Sequence, residues 1–69
     1  MAVIDLIING ELHKTTEGTT LGELLESLGV RRDAVVVEHN GTIVESAAHE
    51  TVRLQADDRL EIVRFVAGG

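Results

Sequence analysis

Apolar positions along this chain switch between two periods. Val3-Ile4-Asp5-Leu6-Ile7-Ile8 is a β-rich run, and the Asn9-Gly10 that follows is a two-residue hairpin signal, because both positions tolerate positive φ. Glu11 to Thr16 then returns as a second strand. Beyond it the period lengthens. Leu21, Leu24, Leu25 and Leu28 fall at i, i+3, i+4 and i+7, one apolar stripe of a short helix. Thr20 and Glu23 have capping-box spacing at its start, and Gly29 is placed to stop it in a left-handed conformation. Gly22 in the first turn costs about 1 kcal/mol relative to alanine.

The second half reads as strands again. Ala34 to Glu38 is rich in valine, Asn40-Gly41 repeats the hairpin signal, and Thr42-Ile43-Val44 pairs back. Residues 45–50 fit a loop or one helical turn, and Thr51 to Leu54 a short extended piece. Asp57-Asp58 reads as a turn and Arg59 to Phe65 as the last long strand. The order β-β-α-β-β-β, one helix for one sheet, defines an α+β domain in which the helix covers one sheet face and the other stays open. The first and last strands are apolar on both sides: Ile4, Leu6 and Ile8 alternate with Val3, Asp5 and Ile7, and Leu60 and Ile62 with Val63 and Phe65. Such strands belong in the middle of a sheet. The first and last strands are therefore expected side by side at the centre of a mixed sheet of about five, with Val3, Ile7, Val63 and Phe65 as candidates for the open face.

Composition narrows what such a domain can do. Sixty-nine residues hold one domain, and one this small buries only about 60% of its unfolded surface, so a deep enclosed pocket is not expected. The absence of cysteine excludes disulfides and thiolate metal sites, and Phe65 is the only aromatic residue, so the core is aliphatic. Twelve acidic residues against six basic ones give a formal net charge of -6. That argues against a nucleic-acid backbone or an anionic membrane surface as partner. With no signal peptide and no membrane-spanning run, the expected compartment is the cytoplasm, and the free protein is expected to be a monomer.

The sequence closes on Val66-Ala67-Gly68-Gly69. A terminal residue keeps a free α-carboxylate, a reactive handle once its oxygen becomes a good leaving group. Glycines, lacking β-carbons, can thread a narrow channel. Residues 1–65 read as the folded domain and 66–69 as a flexible tail, which would span roughly 13 Å when extended. Ordering such residues costs about 1–2 kcal/mol each, so the body must supply the affinity for a partner. The plain alternative is an inert frayed end.

In order along the chain stand Ile7-Ile8-Asn9-Gly10-Glu11, then Gly18-Thr19-Thr20-Leu21 with Glu23-Leu24-Leu25, then Val35-Val36-Val37-Glu38 with Asn40 and Ile43-Val44. Asp58-Arg59-Leu60-Glu61-Ile62-Val63 and Val66-Ala67-Gly68-Gly69 complete the series. With this spacing and total length, nearly the whole chain resembles the thiamin-biosynthesis sulfur carrier family of β-grasp, ubiquitin-like proteins. There are two departures. Asp57-Asp58 stands where that family usually has Gly before the second Asp, and His39 stands where an aliphatic residue is more usual. The related small subunits of molybdopterin synthase share the fold and the tail but are usually longer, with more aromatic residues.

The resemblance implies a protein cosubstrate and not an enzyme. An adenylating, E1-like enzyme would use ATP and Mg²⁺ to convert the Gly69 carboxylate to an acyl-adenylate. A sulfur donor such as a cysteine desulfurase would then leave a thiocarboxylate, and thiazole synthase would accept the sulfur. Gly69 carries the sulfur in this picture, Gly68, Ala67 and Val66 thread the partner's channel, and Phe65, Val63, Val3, Ile7 and Arg64 are candidates for docking. The chain itself would bind no cofactor. It lacks the G-x-x-x-x-G-K-[ST] and G-x-G-x-x-G phosphate-binding patterns. A carrier for a molybdopterin-type pathway, a ubiquitin-like modifier and a non-transferring interaction module are the alternatives. His13, His39 and His49 lack ligand spacing, so no metal site is expected. The Asp57-Asp58 carboxylates are expected to be solvated, and Thr16, Thr19 and Thr20 to mark the loop that enters the helix.

Overall fold

The computed structural model of the protein describes residues 2–65. The chain begins with an antiparallel hairpin of β1 (Val3–Ile8) and β2 (Glu11–Thr16). Asn9 at φ +50° and Gly10 at φ +81° form its two-residue connection, the left-handed geometry that matches strand twist. Helix α1 (Leu21–Ser27) follows. The second hairpin, β3 (Val35–His39) and β4 (Thr42–Val44), turns through Asn40-Gly41 in the same way. β5 (Arg59–Arg64) comes last.

The sheet runs β2-β1-β5-β3-β4. β1 and β5 are parallel and central, as their two-sided apolar pattern requires, and the other pairings are antiparallel. Ile4, Leu6 and Ile8 from β1, Val35 and Val37 from β3 and Leu60 from β5 point to one face. There they meet Leu21, Leu24 and Leu25 of α1 and Leu54 from the segment before β5.

The capping box is present in full. The Glu23 N–H donates to Thr20 Oγ1 at 3.1 Å, and the Thr20 N–H donates to Glu23 Oε1 at 2.9 Å. Hydrogen bonds donated to the Glu23 carboxyl by the Thr20 backbone N–H and by the Thr20 hydroxyl hold it below its ordinary value. Two more N–H groups of the first turn are satisfied from a distance: Leu21 donates to the Val52 carbonyl at 2.9 Å and Gly22 to the His49 carbonyl at 3.0 Å. An N-terminal turn leaves its first donors without partners inside the helix, and here the 49–52 segment supplies them.

Several boundaries differ from the sequence reading. Leu28 caps α1 and is exposed, because the chain turns away at Gly29. Residues Arg32–Ala34 form a 3₁₀ turn, so β3 starts one residue later, and residues Ser46–Ala48 form another in the ambiguous stretch. The short extended piece expected at Thr51 to Leu54 makes one isolated bridge, Arg53 with Thr20, and Leu54 anchors it in the core.

The expectation that both carboxylates of Asp57-Asp58 are solvated is corrected. Asp57 takes φ +70°, a left-handed turn that Asp tolerates, and so occupies the place of the missing glycine. Its neighbour Asp58 is buried. Asp58 accepts from His39 Nε2 at 2.8 Å, from Asn40 Nδ2 at 3.0 Å and from the Gln55 N–H at 2.9 Å. His39, the second departure from the family pattern, is thus the partner of this carboxylate. His49 is also buried, its Nε2 on the Val44 carbonyl at 3.2 Å and its Nδ1 without a partner among the described residues.

Candidate functional site

The strand period sorts the open face. On β1 it carries Val3, Asp5 and Ile7, and on β5 Arg59, Glu61 and Val63, with Phe65 continuing the alternation just past the strand. Val63 and Phe65 are well exposed, at 56% and 61%. The Phe65 N–H donates to the Ala34 carbonyl at 2.9 Å, so the last described residue is still tied to the body.

Of the predicted docking residues, Val3, Ile7, Val63 and Phe65 share a face but do not form one patch. The parallel register sets Ile7 beside Arg59. Val3 therefore lies four residues back along β1, and Val63 four residues onward along β5, roughly 26 Å apart at strand rise. Val63 and Phe65 stand at the end of the sheet where the chain leaves it, Ile7 lies midway, and Val3 is at the far end. Arg64 has the opposite parity. It faces the helical side and lines a shallow groove with Val30, Arg31, Ala34 and Phe65. Gly69, Gly68, Ala67 and Val66 lie outside the described residues.

Two members of the open face were not singled out from the sequence. Leu12, opposite Ile7, and Ile43, opposite Glu38, are about as exposed as Phe65. The signal was available. A two-residue Asn-Gly turn fixes the register of its hairpin, which assigns Leu12 to the face of Ile7 and Ile43 to that of Glu38.

Among the described residues no cluster of three His, Cys, Asp or Glu side chains is arranged to hold a metal ion. No helix among them is long and apolar enough to cross a membrane. The grooves are shallow and open. The face offers an apolar surface leading to the chain's last residues, suited to binding another protein.

A mixed sheet with parallel central strands, one helix on one face and a last strand that precedes Gly-Gly in the sequence defines a β-grasp domain of the ubiquitin-like kind. The model of the ThiS family matches residues 6–69, and the chain belongs to that family. It is 37% identical to the sulfur carrier protein ThiS of Bacillus subtilis over 65 residues, covering 93% of this chain and 98% of that one. It is 44% identical over 62 residues to a thiazole synthase of Magnetococcus marinus. A thiazole synthase of Paramagnetospirillum magneticum is 41% identical over 64 residues. The chain spans only about one fifth of the length of those two proteins, 19% and 20%. The crystal structure of a thiamine biosynthesis protein (ThiS) from Geobacter metallireducens superposes with a TM-score of 0.83 at 30% identity, covering 96% of this chain and all of that one.

Proposed function

We propose that this chain is a sulfur carrier for thiazole formation in thiamin biosynthesis, a protein cosubstrate acting through the carboxylate of Gly69. In a partner adenylating enzyme, a Gly69 carboxylate oxygen attacks the α-phosphorus of ATP, with Mg²⁺ supplied in that enzyme's site, and pyrophosphate leaves. The acyl-adenylate is then attacked at its carbonyl carbon by a sulfur nucleophile derived from a donor such as a cysteine desulfurase. AMP departs; where the nucleophile is a donor persulfide, a second thiol then attacks the donor's sulfur in the acyl disulfide, so that a disulfide forms and the terminus leaves as a thiocarboxylate. Its sulfur passes to thiazole synthase. The work is cytoplasmic in this reading.

The observation that carries the proposal is the family match, which runs through Gly68 and Gly69. The shape of the body supports it. Exposed Val63 on the last strand and Phe65 just past it lead towards those glycines, so a partner gripping the face is positioned to receive the tail. The two thiazole synthases that contain a similar stretch support the choice of acceptor. Carrier and acceptor in one polypeptide raise their effective concentration for each other.

The test is intact-mass measurement of the full chain after incubation with its adenylating enzyme, ATP, Mg²⁺ and a sulfide source. Exchange of one oxygen for sulfur at Gly69 is the expected result. Adducts joining Gly69 to lysines of other proteins favour a modifier instead, and an unchanged mass with a demonstrably active enzyme removes the proposal.

A further inference from the structure

The open face holds one arrangement that works against the fold. Glu38 on β3 and Glu61 on β5 stand directly opposite each other. The adjoining same-face pair is Val36 with Val63, and Ile43 stands opposite Glu38 on its other side. Cross-strand side chains have β-carbons about 5 Å apart, and like charges so placed are destabilising. The four ion pairs among the described residues all lie elsewhere, so neither glutamate is neutralised within them. Arg59, two residues before Glu61 on the same face, makes no ion pair with either carboxylate, so the doublet stays open to a cation from outside.

We propose that Glu38 and Glu61 receive a basic side chain, arginine or lysine, projecting from an apolar surface of the adenylating partner. The cation falls between the two carboxylates while its apolar neighbours pack on Ile43, Val63 and Phe65. The proposal rests on the sulfur-carrier reading and adds the chemistry of the partner's surface. Glu61, Val63 and Phe65 alternate along one face of the strand leading to the tail, so an enzyme that takes in the tail must cover the doublet. Charge argues against a second copy of this chain as occupant. Two such faces together would bring four carboxylates into one apolar contact, on molecules that each carry a net charge of -6.

Glu61→Lys separates this role from a structural one. It sets a cation opposite Glu38 within the free protein, so its Tm should equal or exceed that of the parent. Its affinity for the adenylating enzyme should fall by about tenfold or more, since a like charge then meets the partner's cation. Glu26→Lys, the same charge change on the exposed side of α1, should leave affinity within about threefold. Calorimetric titration of the full chain at about 0.05 and 0.5 M NaCl provides the second readout. Parent affinity should drop with salt, and that of Glu38→Gln/Glu61→Gln should be weak and nearly salt-independent. If the parent is thiocarboxylated but Glu61→Lys binds as tightly as it does, or Glu26→Lys weakens binding equally, the doublet is not the receptor, while the carrier reading stands. If the parent neither binds nor is adenylated by an active enzyme, both fall. A salt-resistant dimer of the free chain that buries this face also overturns the proposal.

Discussion

The side-chain amide of Asn9 pairs with the backbone of Ile62, 53 residues further along the chain: Oδ1 accepts the Ile62 N–H at 2.8 Å and Nδ2 donates to the Ile62 carbonyl at 3.2 Å. Asn9 has turned into the hairpin at φ +50°, so β1 has ended where β5 still needs a neighbour. The amide takes the place of a peptide group and carries the parallel ladder one step further. Asn9→Gly keeps the turn but loses both hydrogen bonds. At about 1 kcal/mol for each net bond it should cost roughly 2 kcal/mol in urea denaturation, with faster exchange of the Ile62 amide. Unchanged exchange there would show that the amide is dispensable to the ladder.

The Asp58 carboxyl should make stability acid-sensitive. Burial pushes this group upward, but the hydrogen bonds from His39, Gln55 and Asn40 outweigh burial and hold it below its ordinary value of 3.8. A carboxyl depressed in the folded state stabilises the fold above its unfolded value, and that contribution is lost as pH falls through the lower folded value. The parent should therefore lose stability steeply below about pH 4. Asp58→Asn should be destabilised by about 1–3 kcal/mol at pH 7 and should show a shallower loss in acid. Parallel stability curves for the two proteins between pH 2 and 5 would contradict this, on the scale of ordinary carboxylate titration.

Gly22 has a neighbour that explains its place in the helix. A β-carbon there would lie 2.7 Å from Arg32 Nη2, in the guanidinium that pairs with Glu50 at 2.8 Å. Gly22→Ala should be close to neutral, the helix gain of about 1 kcal/mol being offset by displacement of the arginine head. In an Arg32→Ala background the same change should stabilise by about 1 kcal/mol. Equal effects in both backgrounds would show that the two residues are not coupled.

Phe65 is exposed at 61% and forms no part of the buried core. Phe65→Ala should leave Tm within about 2 °C and weaken binding to the adenylating enzyme by about 2 kcal/mol, as for a buried aromatic anchor. A large drop in Tm with intact binding would reverse that assignment.

Deletion of Gly69 should leave the denaturation midpoint unchanged and abolish sulfur loading, because the described body folds through residues 2–65. Thiocarboxylation of the shortened chain at Gly68, detected by mass, would show that the partner reads the body and not the terminal residue.

Most of the architecture was legible because local signals agree with the tertiary solution. Both Asn-Gly turns, the Thr20–Glu23 box and the Gly29 stop are local chemistry. The two-sided apolar character of β1 and β5 placed them centrally without any contact information. The misreadings came where long-range partners decide. Asp58 looks like a solvated turn residue until His39, 19 positions away, closes on it. Thr51 to Leu54 reads only as an extended piece, because the helix N-terminus and Thr19 that meet its backbone groups are far away in sequence. Val3 shares a face with Val63, but only the parallel register reveals how far apart they are. Leu12 and Ile43 were within reach once hairpin register was followed through.

Placing the fifth strand between the first and the third has a cost in time. While the chain is being made, β1 and β3 each present a bare hydrogen-bonding edge, and nothing synthesised before Arg59 can cover either. Closure waits for a contact some fifty positions long, the slow and aggregation-exposed kind of step. A truncated molecule lacking that strand would have no finished sheet, so in the carrier proposed above only a chain made through β5 could be charged.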